Sequence, residues 1–224
     1  RTTISYNDSN VKIAGHHAGI SVGPDGATHQ ATEDIATMRV MANMKVIVPC
    51  DMIEAKKATI AAAGMWGPVY LRLGREKTPI LTTSDTPYLP GRVELFWLSM
   101  KPGCVIIGCG SLVYNAIIAA RDLEKEKIGT VVLNCHTIKP LDEKEIVKWA
   151  KKCGTVVTVE EHQVAGGLGG AVAETLGRHA PTPMEFIGMQ NTFGESGPPA
   201  ELIKKYGMDV KDIIRAVKKV VKRK

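Results

Sequence analysis

Short apolar runs alternate along this chain with segments of helical period. Val11–Gly15 (VKIAG), Lys45–Pro49 (KVIVP) and Pro68–Leu73 (PVYLRL) are too short for helices and bounded by Gly, Pro or charge, which predicts buried strands. Between the first two, ATEDIATMRVMAN puts Ile35, Met38 and Met41 or Ala42 on one side of a helix. MIEAKKATIAAA predicts a second helix, with Asp51 as its N-cap and Gly64 at its end. From Gly74 to Pro102 the rhythm breaks: Pro79, Pro87, Pro90 and Pro102 punctuate a stretch whose one brief apolar run is Val93–Leu98. It then resumes with CVIIGCG, GTVVLNC, TVVTVEE and MEFIG as strands. The helices between and after them are LVYNAIIAARDLEKEK, begun at Ser111, EKEIVKWAKKC, capped by Asp142, GGAVAETLGRH, Pro199–Tyr206 and Asp209–Val221.

This alternation predicts an α/β fold built on parallel sheets. Residues 1–78 form a partial unit, 79–102 a linker with a short edge strand, and 103–224 a three-layer α/β domain. The second unit has enough elements to fold alone. The first has about three strands and two helices, leaving open sheet edges, so the chain is expected to begin inside a domain.

Composition removes several function classes. Five cysteines with no CxxC pair point to reduced thiols in a cytoplasmic protein, against a zinc site or a disulfide framework. No apolar stretch approaches the ~20 residues of a membrane span, so no membrane association is expected. The formal charge of +6 gathers in the tail IIRAVKKVVKRK. There Arg215, Lys218, Lys219 and Lys222 are expected on a solvated helix face opposite Ile214, Val217 and Val221. With no aromatic residues interleaved, nucleic acid is not an expected partner.

Candidate chemistry concentrates in HHAGISVGPDGATHQ, which leaves the end of the first strand, where open α/β sheets bind ligands. His17 and His29 are far apart in a Gly/Pro loop without helical metal-ligand spacing, so no metal site is assigned. GISVG fits GxSxG around Ser21, but Pro24, Asp25 and Gly26 follow where a nucleophile elbow needs a helix. What remains is a polar pocket: the Asp25-Gly26 turn would bring Asp25 and His29 into one cavity, with His17 near the strand end facing an anion. Arg75 lies past the third strand on the same rim and suits bidentate phosphate binding, whereas Arg72, inside the strand, reads as a structural pairing. The glycines of EEHQVAGGLGG read as close strand–helix packing, with Glu160, Glu161 and His162 at a strand end or subunit contact.

HAGISVGPDGATHQATED, followed by VIVPCD and YLRLGREKTP, resembles the substrate loop of transketolases, and LNCHTIKPLDEKEI, VVTVEEH and GGLGGAV resemble their C-terminal domain. The resemblance spans the chain. It implies an incomplete pyrimidine-binding domain over 1–78 and a transketolase C-terminal domain over 103–224. The activity it implies is thiamine diphosphate-dependent transfer of a two-carbon ketol unit between phosphorylated sugars. It further implies that His17 and Arg75 bind the sugar phosphate, that Asp25 meets a donor hydroxyl, and that His29 works beside the reacting carbons. The family's cofactor-activating glutamate and ring-stacking aromatic should lie before Arg1, and Glu33, on a helix after the loop, does not replace the former. The diphosphate and Mg or Ca ligands belong to another domain, so no residue here is assigned to cofactor or metal. Sugar phosphates, an N-terminal transketolase part or subunit, and a second copy in a homo-oligomer are the implied partners, and turnover by this chain alone is not expected. A 2-oxoacid dehydrogenase β subunit, a deoxyxylulose phosphate synthase fragment and a non-catalytic assembly module are the alternatives.

Overall fold

A computed structural model describes all 224 residues. The first lobe contains β1 (Lys12–Gly15), α1 (Asp34–Arg39), β2 (Lys45–Ile47), α2 (Met52–Gly64) and β3 (Val69–Arg72). The rest contains β4 (Glu94–Leu98), β5 (Pro102–Gly108), α3 (Val113–Lys125), β6 (Gly129–Asn134), β7 (Thr137–Lys139), α4 (Glu143–Cys153), β8 (Val156–Gln163), α5 (Leu168–His179), β9 (Met184–Met189), α6 (Pro199–Lys205) and α7 (Val210–Val220). No helix is long and apolar enough to cross a membrane.

Two sheets form, in the orders β1-β3-β2-β7 and β4-β6-β5-β8-β9. Pairing is parallel except for β7 on β2 and β4 on β6. The mixed α/β class follows from the pattern, but β7 does not. It comes from the second half of the chain and completes the first lobe's sheet, pairing Lys139 with Val46 and Thr137 with Ile47. One of the open edges expected of the first lobe's sheet, the one at β2, is therefore closed by the chain itself. The stretch 79–102 contributes β4, whose antiparallel ladder on β6 makes it the second sheet's edge.

Both faces of the second sheet are covered. Val105 and Ile107 face one side with Val131, Leu133, Ile146 and Leu168, and this cluster continues into Ile35, Met44, Val46 and Tyr70 of the first lobe. Cys104 and Ile106 face the other side with Ala116, Leu123, Ile213, Val217 and Val220. Buried apolar area of this kind contributes roughly 25 cal/mol per Å², so the core does not respect the lobe boundary. On α7 the buried stripe is Ile213, Ala216, Val217 and Val220, while Ile214 and Val221 are half-buried; the face is rotated from the expected one. Its cations stay on the surface and pair with acids, Lys219 with Glu185 at 2.9 Å and Lys218 with Glu126 at 2.5 Å.

Local signals explain the helix ends. Asp51, Asp142 and Asp209 each accept the backbone N–H three residues on, from Glu54, Glu145 and Asp212. The glycine run packs as expected: a Cβ at Gly167 would fall 2.1 Å from Glu160 Oε2, and one at Gly169 would fall 2.7 Å from the Phe186 ring.

Candidate active site

β1 ends at Gly15, where the Tyr70 ring leaves no room for a Cβ. The chain then turns with His17 in the left-handed region at φ +60°. Gly19, at φ +72°, lies against Glu161, whose Cβ would sit 2.6 Å from an added side chain, so this position requires glycine. The loop closes on itself through Gly19 N–H to Ala31 O at 2.8 Å and Ala31 N–H to His17 O at 3.0 Å. Between these bonds Ile20–Asp25 forms a kinked 3₁₀ segment, and His29 N–H donates to Gly26 O at 3.0 Å.

This closure brings the four singled-out residues together. Asp25 Oδ2 lies 3.3 Å from an Arg75 guanidinium nitrogen and 3.9 Å from His17 Nε2. The His17 and His29 rings approach edge to face, with centroids 6.3 Å apart. Arg75 also donates to Val22 O at 2.7 Å, which ties the end of β3 to the loop. His17, Asp25 and Arg75 keep 43%, 34% and 40% of their side chains exposed, so the cluster can meet a ligand at modest desolvation cost. Pairs this exposed stabilise the fold by at most about 1 kcal/mol.

Arg72 is different. Fully buried, it donates to Asp34 Oδ2 at 2.8 Å, Ala31 O at 2.8 Å and Glu161 O at 2.9 Å. Burial alone would raise the Asp34 carboxyl, but Arg72 and the Tyr70 hydroxyl outweigh it and hold Asp34 below its ordinary range. The guanidinium is consumed in a scaffold that holds the loop against β8, the structural pairing expected of a strand-internal arginine.

Glu161 is the residue the sequence did not single out for the loop. Its carboxylate accepts Ser21 N–H at 3.0 Å and the Ser111 hydroxyl, bridging the loop to the start of α3. Gln30 does similar work, donating to Ile20 O at 3.1 Å and Glu195 O at 3.0 Å. Neither lies in a local motif, since each joins segments far apart in sequence. Ser21 itself gives its backbone to Glu161 inside the 3₁₀ segment and does not head a helix, so the nucleophile elbow is absent.

Residues 1–80 match the transketolase pyrimidine binding domain family, and residues 98–213 match the transketolase C-terminal domain family. The chain belongs to the transketolase family. It is 36% identical to the 6-deoxy-6-sulfo-D-fructose transketolase subunit of Clostridium sp. strain MSTE9, spanning 99% of this chain and 68% of that protein. It is 39% identical to a putative transketolase C-terminal section from Methanocaldococcus jannaschii, over 100% of this chain and 70% of that one. Among solved structures, a split gene transketolase described as an inactive beta4 tetramer superposes with a TM-score of 0.92 and 41% identity, over 99% of this chain and 70% of that chain.

Thiamine diphosphate needs a diphosphate cradle with metal ligands and an aromatic wall for its aminopyrimidine. The cluster described above offers one carboxylate, Asp25, already occupied by Arg75, and no aromatic ring beyond imidazole. These residues do not fit the cofactor; they fit an anionic, hydroxylated ligand.

Proposed function

We propose that this chain supplies the sugar-phosphate side of a split transketolase, in which a complementary N-terminal part holds thiamine diphosphate and its divalent cation. The reaction is transfer of a two-carbon ketol unit between phosphorylated sugars. The observation that supports this reading is the convergence of His17, Asp25, His29 and Arg75 from two loops onto one partly exposed face.

In this reading Arg75 and His17 bind the terminal phosphate, the guanidinium through charge-assisted hydrogen bonds and the imidazole through an N–H. Asp25 sits between them and accepts from a donor-sugar hydroxyl. His29, oriented by Thr28 Oγ1 at 3.0 Å from its Nδ1, directs Nε2 toward hydroxyls at the reacting carbons and moves a proton there. The partners are the N-terminal part and further copies of the chain.

The test uses the enzyme reconstituted from this chain and a transketolase N-terminal part. Arg75→Ala and His17→Ala should each raise KM for xylulose 5-phosphate roughly 10- to 100-fold, as expected for losing about 1.5–3 kcal/mol of charged hydrogen bonding. KM for unphosphorylated xylulose should change little. Equal changes for both sugars would remove the phosphate assignment, and absence of ketol transfer in the unaltered reconstituted enzyme would favour a non-catalytic assembly role. Because the Clostridium relative is named for a sulfonated sugar, a 6-sulfo sugar belongs in the same assay. If it is preferred over the phosphate, the anion at this site is a sulfonate.

A further inference from the structure

Glu54 of α2, Glu94 of β4 and His136 of the β6–β7 turn place one ligand atom each within 4.8 Å of one another. The three come from segments 40 or more residues apart and meet at the seam between the two sheets. His136 has no exposed side-chain surface. Its Nδ1 pairs with Thr137 Oγ1 at 2.9 Å, and the Tyr88 ring lies 4.4 Å from it, so the imidazole is fixed on both sides. Its Nε2 has no hydrogen-bond partner and points at Glu94 Oε1 from 3.9 Å, too far for a hydrogen bond.

The surrounding atoms are also unsatisfied. Of nine buried side-chain polar atoms without a partner in the chain, five are at this one place: both Glu94 oxygens, His136 Nε2, Asn134 Oδ1 and the Tyr88 hydroxyl. Each such atom costs about 1–3 kcal/mol when left unpaired, and native proteins rarely concentrate them without an occupant. The charges are uncompensated too. Glu54 is fully buried and its partners are all neutral, the Cys50 N–H and thiol and the Asn134 amide, while Lys57 spends its ammonium on the Thr83 and Thr86 carbonyls.

We propose that Glu54, Glu94 and His136 bind a divalent transition-metal ion that bolts the two lobes together. Two carboxylates and one neutral imidazole match its charge, and three protein ligands with a fourth position left over suit Zn²⁺, with Mn²⁺ accommodated by the same oxygen-rich set. Thr137, bonded to Nδ1, is the outer partner that sets the tautomer and aims Nε2 at the ion. Ligand bonds of about 2.0–2.2 Å require the donors to close on the ion by small rotations of the carboxylates. The proposal rests on Glu54, Glu94 and His136 alone and does not depend on the functional reading above.

The test is metal binding by the whole chain after dialysis against EDTA. Titration with Zn²⁺ and with Mn²⁺, followed by gel filtration and elemental analysis, should leave one ion per chain and raise the melting temperature by several degrees. Co²⁺ should give the visible bands of a low-symmetry oxygen/nitrogen site without sulfur charge transfer. The isosteric Glu94→Gln and the variant His136→Gln should each weaken binding by more than about 100-fold, beyond the 10- to 100-fold typical of outer-partner losses. No retained ion, or an affinity in both variants equal to that of the unaltered chain, overturns the proposal. If the variants unfold, a Co²⁺ spectrum of the unaltered chain dominated by thiolate bands, or the absence of any spectrum, overturns it instead.

Discussion

At the residue scale the most informative contact is Asp25 with its two nitrogen-bearing neighbours, the Arg75 guanidinium at 3.3 Å and the His17 imidazole at 3.9 Å. If Arg75 and His17 bind phosphate as proposed, a carboxylate placed between them weakens their pull on an anion, so its presence argues for a second task, selecting a hydroxyl. Asp25→Asn should therefore lower KM for phosphorylated donors by about two- to tenfold, the effect of removing one partly screened charge. The same variant should lose discrimination between donors differing in hydroxyl configuration. Steady-state kinetics with a pair of epimeric sugar phosphates checks both; unchanged discrimination would remove Asp25 from the hydroxyl role. The four residues of this cluster were legible in the sequence because they lie in two short stretches at strand ends, where side chains converge on one rim. Glu161, Gln30, Glu54, Glu94 and His136 were not, because their significance arises only where distant segments meet.

At the element scale, the strands and capped helices were readable from local chemistry, while two features depended on tertiary partners. α1 runs only over Asp34–Arg39 although the apolar spacing continues to Met41. The ammonium of Lys139 takes the Arg39 carbonyl at 2.9 Å and the Met41 carbonyl at 2.6 Å, and Asn43 turns the chain at φ +65°. β7 was missed for the same reason: three residues before a proline carry no strand signal until β2 offers them an edge. The clearest element-scale prediction concerns α5. Its N-terminus has no side-chain cap of its own, and Glu160 accepts Leu168 N–H at 2.7 Å and Gly169 N–H at 2.8 Å from inside the core. Burial drives the Glu160 carboxyl up to about 7 against the lowering effect of those two bonds. Its unfolded value lies near 4.5, so between these limits the folded chain holds a proton that the unfolded chain has released. The stability from this group is present below about pH 4.5 and is lost as pH rises towards 7, on the order of 3 kcal/mol in all. Urea unfolding at pH 5 and pH 8 should show that loss in the unaltered protein, and Glu160→Gln should flatten it. A variant with the same pH slope as the parent would exclude Glu160 as its source.

At the scale of the whole molecule, the boundary that family matching draws between residues 80 and 98 is not a boundary in the physics of folding. β7 belongs by sequence to the second unit and by hydrogen bonding to the first sheet. The main core cluster runs from Ile35 and Val46 through Ile138 to Val105 and Leu176 without interruption. Arg72 donates from β3 to the Glu161 carbonyl in β8. Lobes joined through a shared ladder, a shared core and a buried guanidinium should open together, and the expected result is one unfolding transition for the chain. Ile138, buried in β7, tests this directly. Ile138→Ala should cost about 2–5 kcal/mol, as for other buried large-to-small changes. Native-state hydrogen exchange should then report the same fall in protection for amides of β2 and β3 as for those of β5 and β8. If β2 and β3 loosen while β5 and β8 keep their protection, the lobes fold independently and β7 is only a clasp between them. Equal loss in both sheets would mean that the loop strung from β1 to α1 and seated on Glu161 is rigid only when the second lobe is folded beneath it.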